Sequence, residues 1–187
     1  MSNRWKQKRS AIRHYDKIAE TYDQQYQEEQ DLKMTVALEA LTQPIDRNTV
    51  VLDAGCGTGI LFPYIARKTK QTVGIDTSIK LLKKAKTKAY NDIALIKADA
   101  DFLPFKAETF THIFAFTLLQ NAPKPLTTLE EIRRVMQSDA TVVVTGLRKH
   151  FTQVAFVKLL ENVPLEIQAM KNDKELKDFV AVCRKRL

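Results

Sequence analysis

The sequence predicts an α/β fold in which a mostly parallel sheet of seven strands carries helices on both faces and closes with a C-terminal antiparallel hairpin. Three observations predict it. From residue 49 onward, short apolar runs alternate with amphipathic stretches of helical period, as expected of parallel strands joined by crossover helices. The last two apolar runs, 165–171 and 178–185, are separated only by a short polar turn, which suits an antiparallel pair. The chain has 187 residues, 44% hydrophobic and 28% charged, enough for a single domain over 1–187 with one sizeable core.

The elements follow in order. Ile12, Tyr15, Ile18, Ala19, Tyr22 and Tyr26 recur at three- and four-residue steps, as do Met34, Ala37, Leu38 and Leu41. The first forty residues therefore read as one or two amphipathic helices, which Pro44 ends. Residues 49–56 (TVVLDAGC) are a buried strand running into glycines, and 60–69 (ILFPYIARKT) a helix with Pro63 in its first turn. Residues 71–76 (QTVGID) are a strand, followed by a helix over 78–90 with Ser78 as its N-cap. Residues 92–99 and 110–119 are strands, the second long and apolar. A helix over 125–137 carries an S/T-x-x-E capping signal at Thr127 and Glu130. Residues 140–147 (ATVVVTGL) are another central strand, 151–163 a helix, and the final hairpin follows.

The net charge of +8 is segregated along the chain. Arg4, Lys6, Lys8, Arg9 and Arg13 lead it, with Trp5 among them, a mixture that suits RNA backbone and stacking contacts as well as a solvated arm. An acidic stretch follows, with Asp16, Glu20, Asp23, Glu28, Glu29 and Asp31. Lys80, Lys83, Lys84, Lys86 and Lys88 form a second basic cluster; Leu81, Leu82 and Ala85 supply the buried stripe of that helix, so its lysines read as a solvated face. Cys56 and Cys183 give no disulfide framework, and three scattered histidines no metal spacing. No apolar run reaches the roughly 18 residues of a membrane span, and the N-terminal segment lacks the apolar core of a signal peptide, so the expected compartment is the cytoplasm.

Function concentrates at the strand ends. Only five residues are glycine, and Gly55, Gly57 and Gly59 fall within five positions, where the backbone must turn tightly or approach a ligand. In open parallel sheets ligands sit at the carboxyl ends of the strands, and three strands here end in Asp53, Asp76 and Asp99. Converging carboxylates are costly without a partner, so they call for a polar, positively charged ligand and repel a phosphate-rich one. A P-loop needs Gly-Lys-Ser/Thr, but Ile60 and Leu61 follow Gly59. The dinucleotide pattern G-x-G-x-x-G needs a glycine where Ile60 stands, which disfavours an NAD-type oxidoreductase.

VLDAGCGTG (51–59) resembles the first motif of class I S-adenosylmethionine-dependent methyltransferases. VGIDTS (73–78), KADADFLPF (97–105), FTHIFAFTLLQNAPKP (110–125) and RRVMQSDATVVVTG (133–146) resemble the family's later motifs, in order. HYDKIAETYD (14–23) is similar to the N-terminal Y-D-x-x-A-x-x-Y element of the branch typified by ubiquinone and menaquinone methyltransferases. The resemblance implies a Rossmann-like sheet with residues 1–45 as a helical lid, S-adenosylmethionine as cofactor and in-line methyl transfer. The acceptor is unidentified, a small molecule before RNA or protein; a non-catalytic cofactor-binding regulatory or scaffold subunit is the alternative.

The resemblance also implies roles. Asp53, Ala54, Gly55, Cys56, Gly57 and Gly59 would surround the methionine part of the cofactor, with Asp53 neutralising its amino group directly or through water. Asp76, with Thr77, would take the ribose hydroxyls, lying 23 residues after Asp53 where the dinucleotide fold places a carboxylate after about 20. Asp99 and Ala100 would hold the adenine, and Phe116 and Thr117 would flank the sulfonium. Tyr15, Tyr22 and Gln120 are the candidates facing the acceptor. Neither Thr111, where an aspartate is common, nor Asp139, where a glycine is usual, follows the family pattern.

Overall fold

The computed structural model describes residues 3–186; residues 1, 2 and 187, at the ends of the expected domain and lid, lie outside the described residues. Two helices, α1 (Asn3–Ile18) and α2 (Tyr22–Glu39), precede β1 (Val50–Ala54), α3 (Phe62–Ile65), β2 (Gln71–Asp76), α4 (Ile79–Lys88) and β3 (Ile93–Lys97). Then come β4 (Phe110–Ala115), a single 3-10 turn (Leu119–Asn121), α5 (Pro125–Val135), β5 (Met136–Leu147), α6 (Gln153–Glu161), β6 (Leu165–Lys171) and β7 (Asp178–Lys185). One seven-stranded sheet runs in the order β3-β2-β1-β4-β5-β7-β6. The first five strands pair in parallel, and β7 lies antiparallel between β5 and β6. Among the described residues no helix is long and apolar enough to cross a membrane.

The twofold period of the strands sorts the apolar side chains onto two faces. Val51, Phe114, Val143, Val180 and Val182 pack against Met34 and Ala37 of α2 and Ile65 of α3. Their neighbours Leu52, Ile113, Val142, Val144 and Ala181 pack against Leu129, Ile132 and Val135 of α5 and Phe156 and Leu160 of α6. Both faces are covered, which is why these strands read as continuous apolar runs rather than alternating ones.

Several elements differ from the sequence expectation, each for a local reason. The strand expected over 110–119 stops at Ala115, because Thr117 turns into the left-handed region (φ 53°) and the chain continues as the 3-10 turn. The helix expected over 60–69 is only one turn, Phe62–Ile65, since Arg67 is also left-handed (φ 64°). Thr127 does not cap α5: Pro125 sets the start, and the preceding Lys124 makes no side-chain cap. Ser78 does cap α4, accepting from the Leu81 N–H, and Thr152 caps α6 through the Ala155 N–H. α2 ends at Glu39, well before Pro44.

Chain order places β1 at the reversal of the sheet: β2 and β3 are laid on one side of it, then β4 and β5 on the other. A crevice opens beyond the carboxyl ends of β1 and β4, where such folds bind ligands. The end of β5 packs closely against α6. A Cβ added at Gly146 would stand 2.6 Å from the buried Phe156 ring, so Gly146→Ala is expected to cost about 1–3 kcal/mol, read from the urea midpoint. An unchanged midpoint would show that α6 yields without loss.

Candidate functional site

The crevice is built by the loop after β1. Gly55, Gly57 and Gly59 have φ of 80°, 54° and 74°, values that L-residues adopt only at a cost. The Gly55 and Cys56 N–H groups both donate to the Ile75 carbonyl, at 2.9 and 2.8 Å, anchoring the loop on β2. Asp76 completes the tie. Its Oδ2 accepts from the Gly57 N–H at 3.0 Å and its Oδ1 from the Ser78 N–H at 2.8 Å, so one carboxylate holds both the glycine loop and the entry to α4.

A cavity of about 420 Å³ lies over these strand ends. Gly55, Gly57, Asp76, Thr77, Asp99, Ala100, Phe116 and Thr117 line it, with Tyr15 and Tyr22 closing over from α1 and α2. The other expected residues stand behind or beside the wall. Asp53 and Ala54 are buried in β1, where Asp53 sits in register between Gly74 and Phe114. Cys56 packs with Phe62, Leu82 and Ala85, and burial raises its thiol well above its ordinary range, which leaves it inert. A Cβ at Gly59 would meet the Phe62 ring at 2.5 Å, so this glycine serves packing. Gln120 lies outside the lining, with its amide buried and without a hydrogen-bond partner among the described residues. Its neighbour Asn121 is the one on the wall, donating to the Tyr15 hydroxyl at 2.9 Å and the Thr117 carbonyl at 2.8 Å.

The electrostatics are those of a site short of positive charge at its base. Asp53 receives no hydrogen bond from the described residues, and burial, reinforced by the Asp76 carboxylate, pushes its carboxyl up to about 8. Asp76 is also raised, chiefly by burial, although the N–H groups of Ser78, Gly57 and Thr77 offset part of it. Burial raises Tyr15 and Tyr22 above the usual phenol range, so both are neutral donors and acceptors rather than bases.

The outer rim is different, because α1 lies across it. Lys8 Nζ stands 2.6 and 2.5 Å from the two oxygens of Asp99 and 2.5 Å from Asp101 Oδ2, and Arg4 Nη2 lies 2.6 Å from that same Asp101 oxygen. Burial pulls the Asp101 carboxyl up, but hydrogen bonds from Lys8, Thr128 and Arg4 outweigh it and hold it below the ordinary carboxylate range. The basic segment read as an arm is thus a helix with two of its cations turned onto the site. On α4, Lys80, Lys83 and Lys86 are exposed as expected, but the other two lysines are engaged: Lys84 pairs with Glu20, and Lys88 Nζ lies 2.6 Å from Asp23 Oδ2. Ser78 and Thr58 hydroxyls donate to Asp16 and Asp23, each at 2.5 Å, so the turn between α1 and α2 is pinned to α4 and to the glycine loop.

Sequence reasoning missed Lys8, Asn121 and a fully buried lysine, Lys33. For Lys8 and the α4 lysines the signal was present in the alternation of basic, acidic and basic stretches. Lys33 adjoins Met34 on the buried side of α2, where a single cation in an apolar stripe was the available cue.

A methyltransferase domain family model matches residues 52–144. An uncharacterized protein of Methanocaldococcus jannaschii is 32% identical over 132 residues, 71% of this chain and 49% of that protein. The demethylmenaquinone methyltransferase of Bacillus licheniformis is 32% identical over 142 residues, 69% of this chain and 59% of that protein. The chain thus spans about half to three-fifths of the length of these curated relatives. In fold, it is similar to a chain of the complex between the Haloferax volcanii Trm112 methyltransferase activator and a methyltransferase, with a TM-score of 0.76 at 16% identity over 92% of this chain and 98% of that one. A SAM-dependent methyltransferase from Aquifex aeolicus gives 0.70 at 18% identity, over 81% and 88%.

Asp53 generates a prediction for the protein alone. Its carboxyl titrates at about 8 in the fold and at about 3.9 in an unfolded chain. Folding therefore takes up a proton in that window, and stability falls as pH rises through it. Asp53→Asn is expected to decline less from about pH 5 to 8 in urea unfolding, gaining on the wild type throughout. Parallel pH profiles would show that Asp53 is ionised in the fold.

Proposed function

The chain carries the methyltransferase domain of the class I S-adenosylmethionine-dependent family, and from that premise we propose that it transfers a methyl group to a small-molecule acceptor enclosed beneath α1 and α2. The observation that carries this reading is Asp53: a buried carboxyl with no counter-cation, beside the glycine loop, can ionise against an ammonium group but not against a phosphate. Bound there, S-adenosylmethionine supplies a methyl group already activated by its sulfonium. The remaining work belongs to the chain.

Asp53, behind the glycine loop, neutralises the amino group of the methionine part directly or through water, and the cavity-facing Gly55 and Gly57 let the backbone approach it. Asp76 uses one lone pair of each oxygen on the Gly57 and Ser78 N–H groups and keeps the others for the ribose hydroxyls. Asp99 and Ala100 receive the adenine; because Lys8 reaches both Asp99 and Asp101, it can rest on Asp101 while Asp99 turns to the ring. Phe116 and Thr117 flank the reacting centre. Tyr15, Tyr22 and Asn121 orient the acceptor by hydrogen bonds, while Gln120 lies outside the lining.

With no ionised base among the tyrosines, catalysis rests on holding acceptor and methyl in line, which supplies roughly 7 to 11 kcal/mol in well-oriented systems. An acceptor that needs no early deprotonation suits this site best. A small acceptor is preferred to RNA because Arg4 and Lys8 are engaged on the rim carboxylates rather than presented outward, and residues 1–45 then act as a lid. The two buried free thiols, Cys56 and Cys183, suit a reducing compartment, and we place the protein in the cytoplasm.

In thermal-shift measurements S-adenosylmethionine and S-adenosylhomocysteine are expected to stabilise the protein and NAD to leave it unchanged; the reverse order would overturn the proposal. Asp76→Ala is expected to lose most cofactor affinity with the fold retained, and unchanged affinity would remove the ribose assignment. Cofactor binding without labelled-methyl transfer to any metabolite, RNA or protein fraction would favour a scaffold role or dependence on an activating subunit.

A further inference from the structure

α2 buries a lysine completely. Lys33 is 0% exposed, as is Asp178 at the start of β7, and Lys33 Nζ lies 2.6 Å from Asp178 Oδ2. Glu29 stands 3.7 Å from the same ammonium and pairs outward with Lys177. A buried ion pair is weak grounds for stability, since apolar residues of similar volume often serve as well or better. What an ammonium adds is a hydrogen-bond donor, and the third group within its reach is Thr117 Oγ1, at 3.0 Å.

Thr117 needs holding. It is β-branched and left-handed, with φ 53°, a conformation that persists only where the surroundings enforce it. Four hydrogen bonds do so: its N–H donates to Thr145 Oγ1 at 2.8 Å, its carbonyl accepts from Asn121 at 2.8 Å, and its hydroxyl accepts from Lys33 at 3.0 Å and from Gln30 at 3.4 Å. Asn121 uses its other amide hydrogen on the Tyr15 hydroxyl. Thr117, Asn121 and Tyr15 all line the cavity, whereas Lys33 and Asp178 lie behind it.

We propose that Lys33, held by Asp178, is a positioning residue of the site: it fixes the left-handed Thr117, and through Asn121 sets the Tyr15 hydroxyl on the cavity wall. The inference rests on the methyltransferase reading, since it concerns the same cavity. It makes the antiparallel end of the sheet part of the site's support, linking β7 through α2 to the end of β4 and on to α1.

The test uses glycine, which adopts the left-handed conformation without strain. S-adenosylhomocysteine affinity is measured by calorimetry for the wild type, for Lys33→Met/Asp178→Asn, for Thr117→Gly, and for the three substitutions combined, with urea unfolding confirming that each is folded. Removing both charges together avoids leaving one buried and unpaired. Loss of the pair is expected to weaken binding roughly five-fold or more when Thr117 is present and less than about two-fold in the Thr117→Gly background, a coupling of the size seen between contacting residues. The same loss in both backgrounds would overturn the inference by assigning the pair to the fold alone, and so would no loss in either. A wild type that fails to bind S-adenosylhomocysteine would instead overturn the methyltransferase reading itself.

Discussion

The Asp76 carboxylate is the point at which fold and chemistry meet. Its two oxygens receive backbone N–H groups from Gly57 and Ser78, and those two residues belong to the loops that follow β1 and β2. The glycine loop folds back onto β2 because Gly55 and Cys56 donate to Ile75 one residue before. Once that turn is closed, Asp53 is sealed beneath it in β1, flanked by Gly74 on one side and Phe114 on the other. The crevice is therefore lined by an acid engaged with the backbone, and behind its wall lies a second, buried acid that no cation of the described residues neutralises. A ligand that brings its own positive charge stabilises this arrangement, and one rich in phosphate does not.

The rest of the charge is arranged around that core. The chain carries a net +8, yet several cations of the N-terminal helix and of α4 are engaged: Arg4 and Lys8 on Asp99 and Asp101, Lys84 and Lys88 on Glu20 and Asp23. These contacts join elements far apart in sequence: those of Arg4 and Lys8 fasten α1 to the segment after β3, and those of Lys84 and Lys88 fasten the turn between α1 and α2 and the start of α2 to α4. The more exposed pairs, Lys84 with Glu20 and Lys88 with Asp23, contribute little individually. The collective role of all these contacts is to set where α1 and α2 lie, so that Tyr15 and Tyr22 face the glycine loop across the cavity. Neither phenol is disposed to ionise, which leaves orientation as the contribution of the lid.

Much of this was legible in the residues. The alternation of apolar runs marked all seven strands, and the ends of three of them gave Asp53, Asp76 and Asp99 before any contact was known. What the linear pattern could not show was where an apolar run stops being a strand. Phe116 to Leu119 continue the apolar run of β4, and only the backbone of Thr117, over-determined by partners from α2, β5 and the 3-10 turn, breaks it. Long-range pairing was hidden for the same reason: nothing local distinguishes Lys8, which reaches Asp99, from Lys6 two residues earlier. Gln120 and Asn121 differ by one position in a turn whose direction the sequence does not state, and Asn121 is the one that faces inward.

The most direct test is the proton balance of cofactor binding. Near pH 7, Asp53 with its carboxyl at about 8 holds a proton in the ligand-free protein, and an ammonium placed beside it favours the ionised form. Titration with S-adenosylhomocysteine in buffers of different ionisation enthalpy should therefore release a large fraction of one proton per site, and the release should vanish in Asp53→Asn. Binding with no proton released by the wild type would contradict the account, because it would mean that the buried carboxylate does not meet the ligand's positive charge.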